Sequence, residues 1–209
     1  MNINAGSDTI ASTLRAIFYY LLKHPESLSE LQNELDSAVE GGRISSPSPT
    51  WNETQQNLPY LCAVIKEGLR MNPALSLPLE RVVPTDGLTL QHENGSQTFL
   101  PQGTVIGVNP WVFHRHQHIF GHDAESWNPN RWLSDREKET KHMEHSILAF
   151  GAGKRSCLGK NIAMLELHKL VPALFLKFKI ELDDLSREWE VRNAWVLSQT
   201  GLSVRLALR

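Results

Sequence analysis

The sequence predicts a mainly α fold with a smaller β part. Apolar residues recur at helical spacing from Ile10 to Leu69, short alternating runs replace them after Leu79, and a further helical stripe begins at Ala163. The 209 residues suffice for one large domain or two small ones. A composition of 41% hydrophobic and 21% charged residues fits an ordinary globular chain, and a net charge of -2 gives no sign of a nucleic-acid binder. Two cysteines, Cys62 and Cys157, make no disulfide framework, which favours a reducing compartment. No apolar run reaches the length of a membrane span, and "MNINAGSDT" lacks the basic-then-apolar order of a secretory signal. The chain as written is therefore expected to be soluble or at most peripherally attached.

The elements follow in order. Ile10, Leu14, Ile17 and Leu21 mark a first helix that ends in "KHPES". Pro25 suits the first turn of a second helix, with Leu28, Leu31, Leu35 and Val39 facing inward. "EGGRISSPSPT", Glu40 to Thr50, reads as a loop, and a third helix covers roughly Tyr60 to Met71 with Leu61, Ile65 and Leu69 on one face. Alternation around Asn94-Gly95, followed by a Pro-Gln-Gly turn, predicts a hairpin. A Trp- and His-rich loop runs from Trp111 to about Leu133. The next helix has Ala163, Leu167, Leu170, Leu174 and Phe178 in phase, and Pro172 is expected to kink or divide it. Val204, Leu206 and Leu208 alternate as in a half-buried strand. There are no internal repeats.

Chemistry concentrates in "FGAGKRSCLGKNIAMLELHKLV", Phe150 to Val171, where Cys157 sits on a glycine-laden loop directly before a helix. A core cysteine needs no such setting, since it behaves as a small hydrophobe. Near a helix start, the dipole and backbone amides favour a thiolate, glycines let the backbone approach the sulfur, and Arg155 supplies a cation for an anion in the same site. These features suit either a nucleophilic or a metal-bound cysteine.

The string Phe150-Gly-Ala-Gly153-Lys-Arg155-Ser-Cys157-Leu-Gly159 resembles, at every fixed position, the haem-binding signature F-x-x-G-x-R-x-C-x-G of the cytochrome P450 superfamily. The resemblance implies haem b (iron protoporphyrin IX) as cofactor and Cys157 as its proximal thiolate. It also implies Phe150 packed by the sulfur, Arg155 facing a propionate, and Gly151, Gly159 and Ala163 leaving room for the macrocycle. Other segments are similar to family motifs in the right order. Glu67 and Arg70 of "KEGLR" match the E-x-x-R pair, which in the family is buried and joined by a later arginine. "NPNRW" offers Arg131 for that part, with Asn130 where many relatives carry an acidic residue. "AGSDT" has the look of a helix N-cap, yet it also resembles the family's mid-helix segment, where Asp8 and Thr9 relay protons to bound oxygen. Arg81 is implied as a second propionate contact, with Leu77 and Leu79 lining a substrate pocket.

His114, His116, His118 and His122 could share a strand face as metal ligands. The resemblance instead places them in a surface loop. Cys62 reads as core.

The matching motifs span Ala5 to Gly159 and the helix beyond, so residues 1–209 are expected to be the C-terminal haem-binding portion of a cytochrome P450 domain, with the N-terminal part, including any membrane anchor, absent. "GTVIGVNPWVFHR" is similar to fungal microsomal members. The resemblance implies that full-length relatives are often held at the endoplasmic reticulum membrane, and this chain as written is expected to carry no anchor. The implied activity is a monooxygenase that inserts one oxygen atom from O2 into a small apolar organic substrate. An NADPH-dependent reductase, docking near Lys154 and Lys160, would supply the electrons. Two other readings stand beside it. One is a truncated, non-catalytic remnant that binds haem weakly or not at all, and the other is a thiol-dependent enzyme using Cys157 as nucleophile.

Overall fold

The computed structural model describes residues 3–209, and side-chain surroundings from residue 5 onward. Met1 and Asn2, which open the segment read for a signal, lie outside the described residues. Helix α1 (Ile3–Lys23) is followed by α2 (Pro25–Glu40), α3 (Trp51–Asn57) and α4 (Pro59–Met71). Strands β1 (Leu79–Val82), β2 (Leu88–Gln91), β3 (Gln97–Leu100) and β4 (Val105–Val108) come next. Two single-turn helices, α5 (Pro110–Phe113) and α6 (Gln117–Phe120), a 3₁₀ turn at Pro129–Leu133 and α7 (Glu137–His145) follow. The chain closes with α8 (Lys160–Lys177), β5 (Phe178–Leu182), β6 (Glu190–Ala194), β7 (Val196–Thr200) and β8 (Val204–Leu208).

The core lies where α1, α2, α4 and α8 converge. Ile17, Leu21, Leu31, Leu35, Leu61, Ile65, Leu167, Val171 and Phe175 are fully buried there. Each such side chain contributes roughly 1.5–3 kcal/mol, so the helical stripes legible in the sequence supply most of the cohesion. The second helix begins at Pro25 as expected. Helix α3 falls between the predicted loop and the predicted third helix, and its cause is local. Thr50 Oγ1 accepts from the Glu53 N–H at 3.3 Å while Glu53 accepts from the Thr50 N–H at 2.6 Å, a reciprocal capping box. Helix α4 has no side-chain cap of its own. Instead Glu34 of α2 accepts from the Tyr60 and Leu61 N–H groups at 2.7 and 2.9 Å, satisfying two donors that a helix start leaves open.

The strands form four two-stranded antiparallel pairs, β1–β4, β2–β3, β5–β8 and β6–β7. The predicted hairpin is β2–β3, nested inside β1–β4, with Gly95 at φ +79° in its turn. Three expectations need correction. Of the kink or break expected at Pro172, the break is absent: α8 runs unbroken to Lys177 with Leu167, His168, Val171, Pro172 and Phe175 buried along it. Burial of that face outweighs one missing backbone hydrogen bond. Its buried stripe passes through Val171 rather than Leu170, which is exposed, and Phe178 already belongs to β5. Strand β8 exists, but all five of its residues are exposed rather than half-buried. Alternation supplied a strand, and among the described residues no second layer covers it.

Helices α1 and α4 meet at Gly68. A Cβ there would lie 2.4 Å from Cγ1 of the fully buried Ile17, so neither partner has room to yield. Alanine would favour an isolated helix by about 1 kcal/mol over glycine. Overpacking a closed core costs about 1–3 kcal/mol, and at a 2.4 Å approach we expect the upper end of that range to win. Gly68→Ala should therefore lower the urea midpoint, and the same substitution should cost less when made in an Ile17→Ala chain, which lacks the clashing Cγ1. A Gly68→Ala midpoint equal to or above that of the parent chain would contradict the contact.

Candidate functional site

Glu67 and Arg70 face inward from α4, both with 0% side-chain exposure, and form a buried pair. All five Arg70 N–H donors are used. Nε and Nη2 reach the two Glu67 oxygens at 2.8 and 2.7 Å, Nη1 reaches the carbonyls of His114 and Ala124 at 2.9 and 2.6 Å, and Nη2 also reaches Ser126 O at 2.9 Å. The 3₁₀ turn brings Arg131 Nε to Glu67 Oε1 at 3.1 Å and Trp132 Nε1 to Oε2 at 2.9 Å. The Asn128 N–H donates to Oε1 at 2.8 Å. The three residues singled out in the sequence thus meet in one cluster.

Asp123, which the sequence reading did not single out, completes it. Its carboxylate takes two bonds from Arg131, both 3.0 Å, while the Arg131 Nη1 also donates to Phe120 O. Two carboxylates then balance two guanidiniums. Burial pushes the Asp123 carboxyl up, but bonds from Asn128 and Arg131 outweigh it and hold the group below its ordinary value.

The cysteine loop follows. Gly151 and Gly153 adopt φ of +66° and +65°, a conformation costly for residues with a Cβ. The Gly151 N–H donates to Leu148 O, and the Cys157 N–H donates to Phe150 O, each at 2.8 Å. These bonds fold the loop back on itself ahead of α8, whose N-cap is Gly159. A Cβ on Gly159 would meet Cys157 Sγ at 3.7 Å, an ordinary contact. The glycines at 151 and 153 therefore serve the turn. Among the described residues no hydrogen bond to Cys157 Sγ forms, which corrects the expectation of amides aimed at the sulfur. Cys157 and Arg155 are exposed, whereas Phe150 and Ala163 are half-buried. Lys160 Nζ lies 5.9 Å from the Phe150 ring centroid.

Asp8 and Thr9 lie inside α1 rather than at its cap. The Thr9 hydroxyl donates to Ala5 O at 2.8 Å, and that of Thr13 donates to Thr9 O at 3.0 Å. Arg81, on β1, is exposed, and its guanidinium donates to the Glu80 carbonyl at 2.7 Å. The four histidines separate: His114 is wholly buried, while His116, His118 and His122 are exposed. Its Nδ1 lies 3.0 Å from Arg70 O, and its Nε2 accepts from the Leu148 N–H at 2.8 Å. Burial pulls the His114 imidazole from 6.5 to about 4; the bond to the Arg70 carbonyl opposes the shift, and the charges of Arg70 and Arg115 add to it. Cys62 is half-buried beside Thr54 and Gln55, and burial pushes its thiol up to about 11.

Haem fits these residues. Cys157 offers one exposed sulfur, and among the described residues no three His, Cys, Asp or Glu side chains are placed to hold a bare ion. A single thiolate suits an iron already ligated in plane by a macrocycle. Beside it Leu158 is 100% and Ile162 64% exposed, apolar surface that a flat macrocycle would cover, and Lys154, Arg155 and Lys160 are cations suited to carboxylate groups.

The family model described as Cytochrome P450 matches residues 1–206. The chain is 47% identical over 208 residues to the cytochrome P450 monooxygenase cicH of Emericella nidulans, covering 100% of this chain and 40% of that protein. It is 46% identical to the monooxygenase pkfB of the same organism, covering 39% of it. The crystal structure of a cytochrome P450, CYP102L1, superposes with a TM-score of 0.81 at 25% identity, over 100% of this chain and 44% of that one. The chain thus spans about 40% of the length of the curated relatives it matches. Among the described residues no helix is long and apolar enough to cross a membrane.

Two outcomes follow from this geometry. Glu67→Ala leaves two buried guanidiniums facing one carboxylate, and should cost about 3–5 kcal/mol in chemical denaturation. A midpoint within error of the parent would contradict the buried network. For His114 the folded-state pKa lies below the unfolded one, so the unfolded chain takes the proton first. Its contribution is whole above pH 6.5, shrinks as pH falls, and is lost by about pH 4, a total of about 3 kcal/mol. Stability titrated from pH 7 to 4 should fall in that window, and less steeply in His114→Gln.

Proposed function

Because the chain belongs to the cytochrome P450 family, we propose that it forms the C-terminal, haem-thiolate portion of a monooxygenase acting on a small apolar organic substrate. The observation that carries this reading is the exposed Cys157, held by the Gly151 and Gly153 turns directly ahead of α8. Cys157 would ligate the iron of haem b, Phe150 would shield the sulfur, and Ala163 and Gly159 would leave the macrocycle space. Arg155 and Arg81 are the cations assigned to its propionates. When bound, haem supplies the activation of O2 and delivery of one oxygen atom to carbon, using electrons from an NADPH-dependent reductase.

The remaining work falls to side chains of this chain. Asp8, exposed on α1, can take a proton from solvent. The neighbouring Thr9 hydroxyl already donates to Ala5 O, which leaves its oxygen lone pairs free to accept and its proton free to be re-aimed. Together they form a short route for protons toward the oxygen-binding face. Lys154 and Lys160, exposed beside the cysteine loop, present positive charge to an acidic electron donor.

A second reading, a chain that binds haem weakly and does not turn over, is favoured by large apolar residues left open to solvent away from the cysteine loop, among them Val82, Leu185, Leu206 and Leu208. Spectroscopy separates the two. The haem-reconstituted chain, reduced under carbon monoxide, should show the strongly red-shifted band of a thiolate ligand. Cys157→Ser should abolish that band and Cys62→Ser should leave it intact. A band unaffected by Cys157→Ser would remove the assignment, and no haem uptake by the parent chain would favour the second reading.

A further inference from the structure

His114 stands between two parts of the protein that the chain itself does not join. It closes α5, and its carbonyl accepts from Arg70 at 2.9 Å, so its backbone is fixed to the α4 network. Its ring is fully buried and uses both nitrogens. The Leu148 N–H can only donate, so Nε2, 2.8 Å away, must carry the lone pair. Nδ1 then bears the hydrogen and donates to the Arg70 carbonyl at 3.0 Å. One tautomer satisfies the site, and it is the neutral one. An imidazolium would lose the Leu148 bond and face the Arg70 and Arg115 cations.

What Leu148 does next gives the contact its meaning. Its N–H is held by His114, while its C=O accepts from the Gly151 N–H at 2.8 Å, at the first left-handed turn of the cysteine loop. Two residues on, the Phe150 carbonyl accepts from the Cys157 N–H at 2.8 Å. The order is then α4 backbone, imidazole, Leu148, loop turn, cysteine. Cys157, exposed and without a hydrogen bond to its sulfur among the described residues, takes its position from this run of backbone bonds.

We propose that His114 is a positioning residue for the thiolate ligand, a neutral Nδ1–H imidazole that anchors the cysteine loop to the Glu67–Arg70 network through Leu148. This rests on the reading of Cys157 as the iron ligand, but its physical content is a property of the chain itself.

The test uses the full chain and three variants. In ¹⁵N-histidine spectra of the parent, the buried imidazole should be the Nδ1–H tautomer. Amide exchange should show Leu148 and Gly151 protected. His114→Phe fills the space without bonding, and His114→Asn can reach Arg70 but not Leu148. Each should lower protection at Leu148 and Gly151 about tenfold, with Ile65 and Leu69 unchanged. His114→Gln extends an amide oxygen toward Leu148 and should restore most of it. In the haem-loaded, reduced carbonyl form, Phe and Asn variants should lose thiolate-type band intensity and Gln should recover it. An Nε2–H tautomer in the parent, or unchanged Leu148 protection in His114→Phe, would overturn the proposal. Should His114→Phe fail to fold, the parent's tautomer and the Asn–Gln contrast still decide. A parent chain lacking the thiolate band would strike at the proposed function instead, leaving tautomer and exchange to judge His114.

Discussion

The structure depends on one buried carboxylate. Glu67 sits in the wall between the helical core and the long loop after β4, and it gathers donors from Arg70, Asn128, Arg131 and Trp132. A carboxylate moved out of water alone is prohibitively costly, and this one is tolerable because its partners arrive together. That makes the loop's path a condition of the helix's burial. Arg70, pinned by Glu67, then ties down the carbonyls of His114, Ala124 and Ser126. The short turns between them close backbone bonds of their own, and the α4 guanidinium fastens both ends of the stretch to the core. The 3₁₀ turn and α7 then lead on to the cysteine loop.

How legible this was depends on distance along the chain. The helices were visible because apolar spacing is a local property, and α4 appears almost where its stripe puts it. Glu67 and Arg70 could be paired by spacing, while Arg131 came only from resemblance, since nothing in "NPNRW" alone says it will be buried. The roles of Trp132 and His114 are not legible because their partners are far away in sequence, and a histidine that closes a network looks like one that faces solvent. Asp123 has its partners close by, at Asn128 and Arg131, but in a loop without period nothing marks them as a cluster. The separation of His114 from His116, His118 and His122 is a tertiary fact.

Other differences came from local rules applied without their competitors. The capping box of Thr50 and Glu53 was readable and announces α3. Pro172 was given its usual helix-breaking weight, but the buried face on both sides of it holds α8 together. Strand β8 shows the reverse, for alternation produced the strand while burial needed a covering layer that the described residues do not provide. Propensity ranks local options, and packing chooses among them.

The two sides of the proposed site are held in different ways, and the difference suits their work. On the cysteine side the backbone is over-determined by turns, by bonds folded back on Leu148 and Phe150, and by the imidazole behind them. A side chain that would hold haem iron must not wander, so rigidity there would have chemical value. On the α1 side Thr9 is held only by its own helix, its hydroxyl spent on a carbonyl one turn back, and Asp8 is open to water. A hydroxyl that already gives its proton to a helix carbonyl can exchange that partner for another at the cost of about one hydrogen bond, roughly 0.5–1.5 kcal/mol. That is small enough for a proton route to open and close within a catalytic cycle. One further turn along α1 the helix is tied again, as Gln199 of β7 donates to Ser12 O and Oγ at 3.0 and 2.9 Å. The adjustable stretch is thus confined to the residues that would move protons, between a fixed thiolate loop and a fixed helix body.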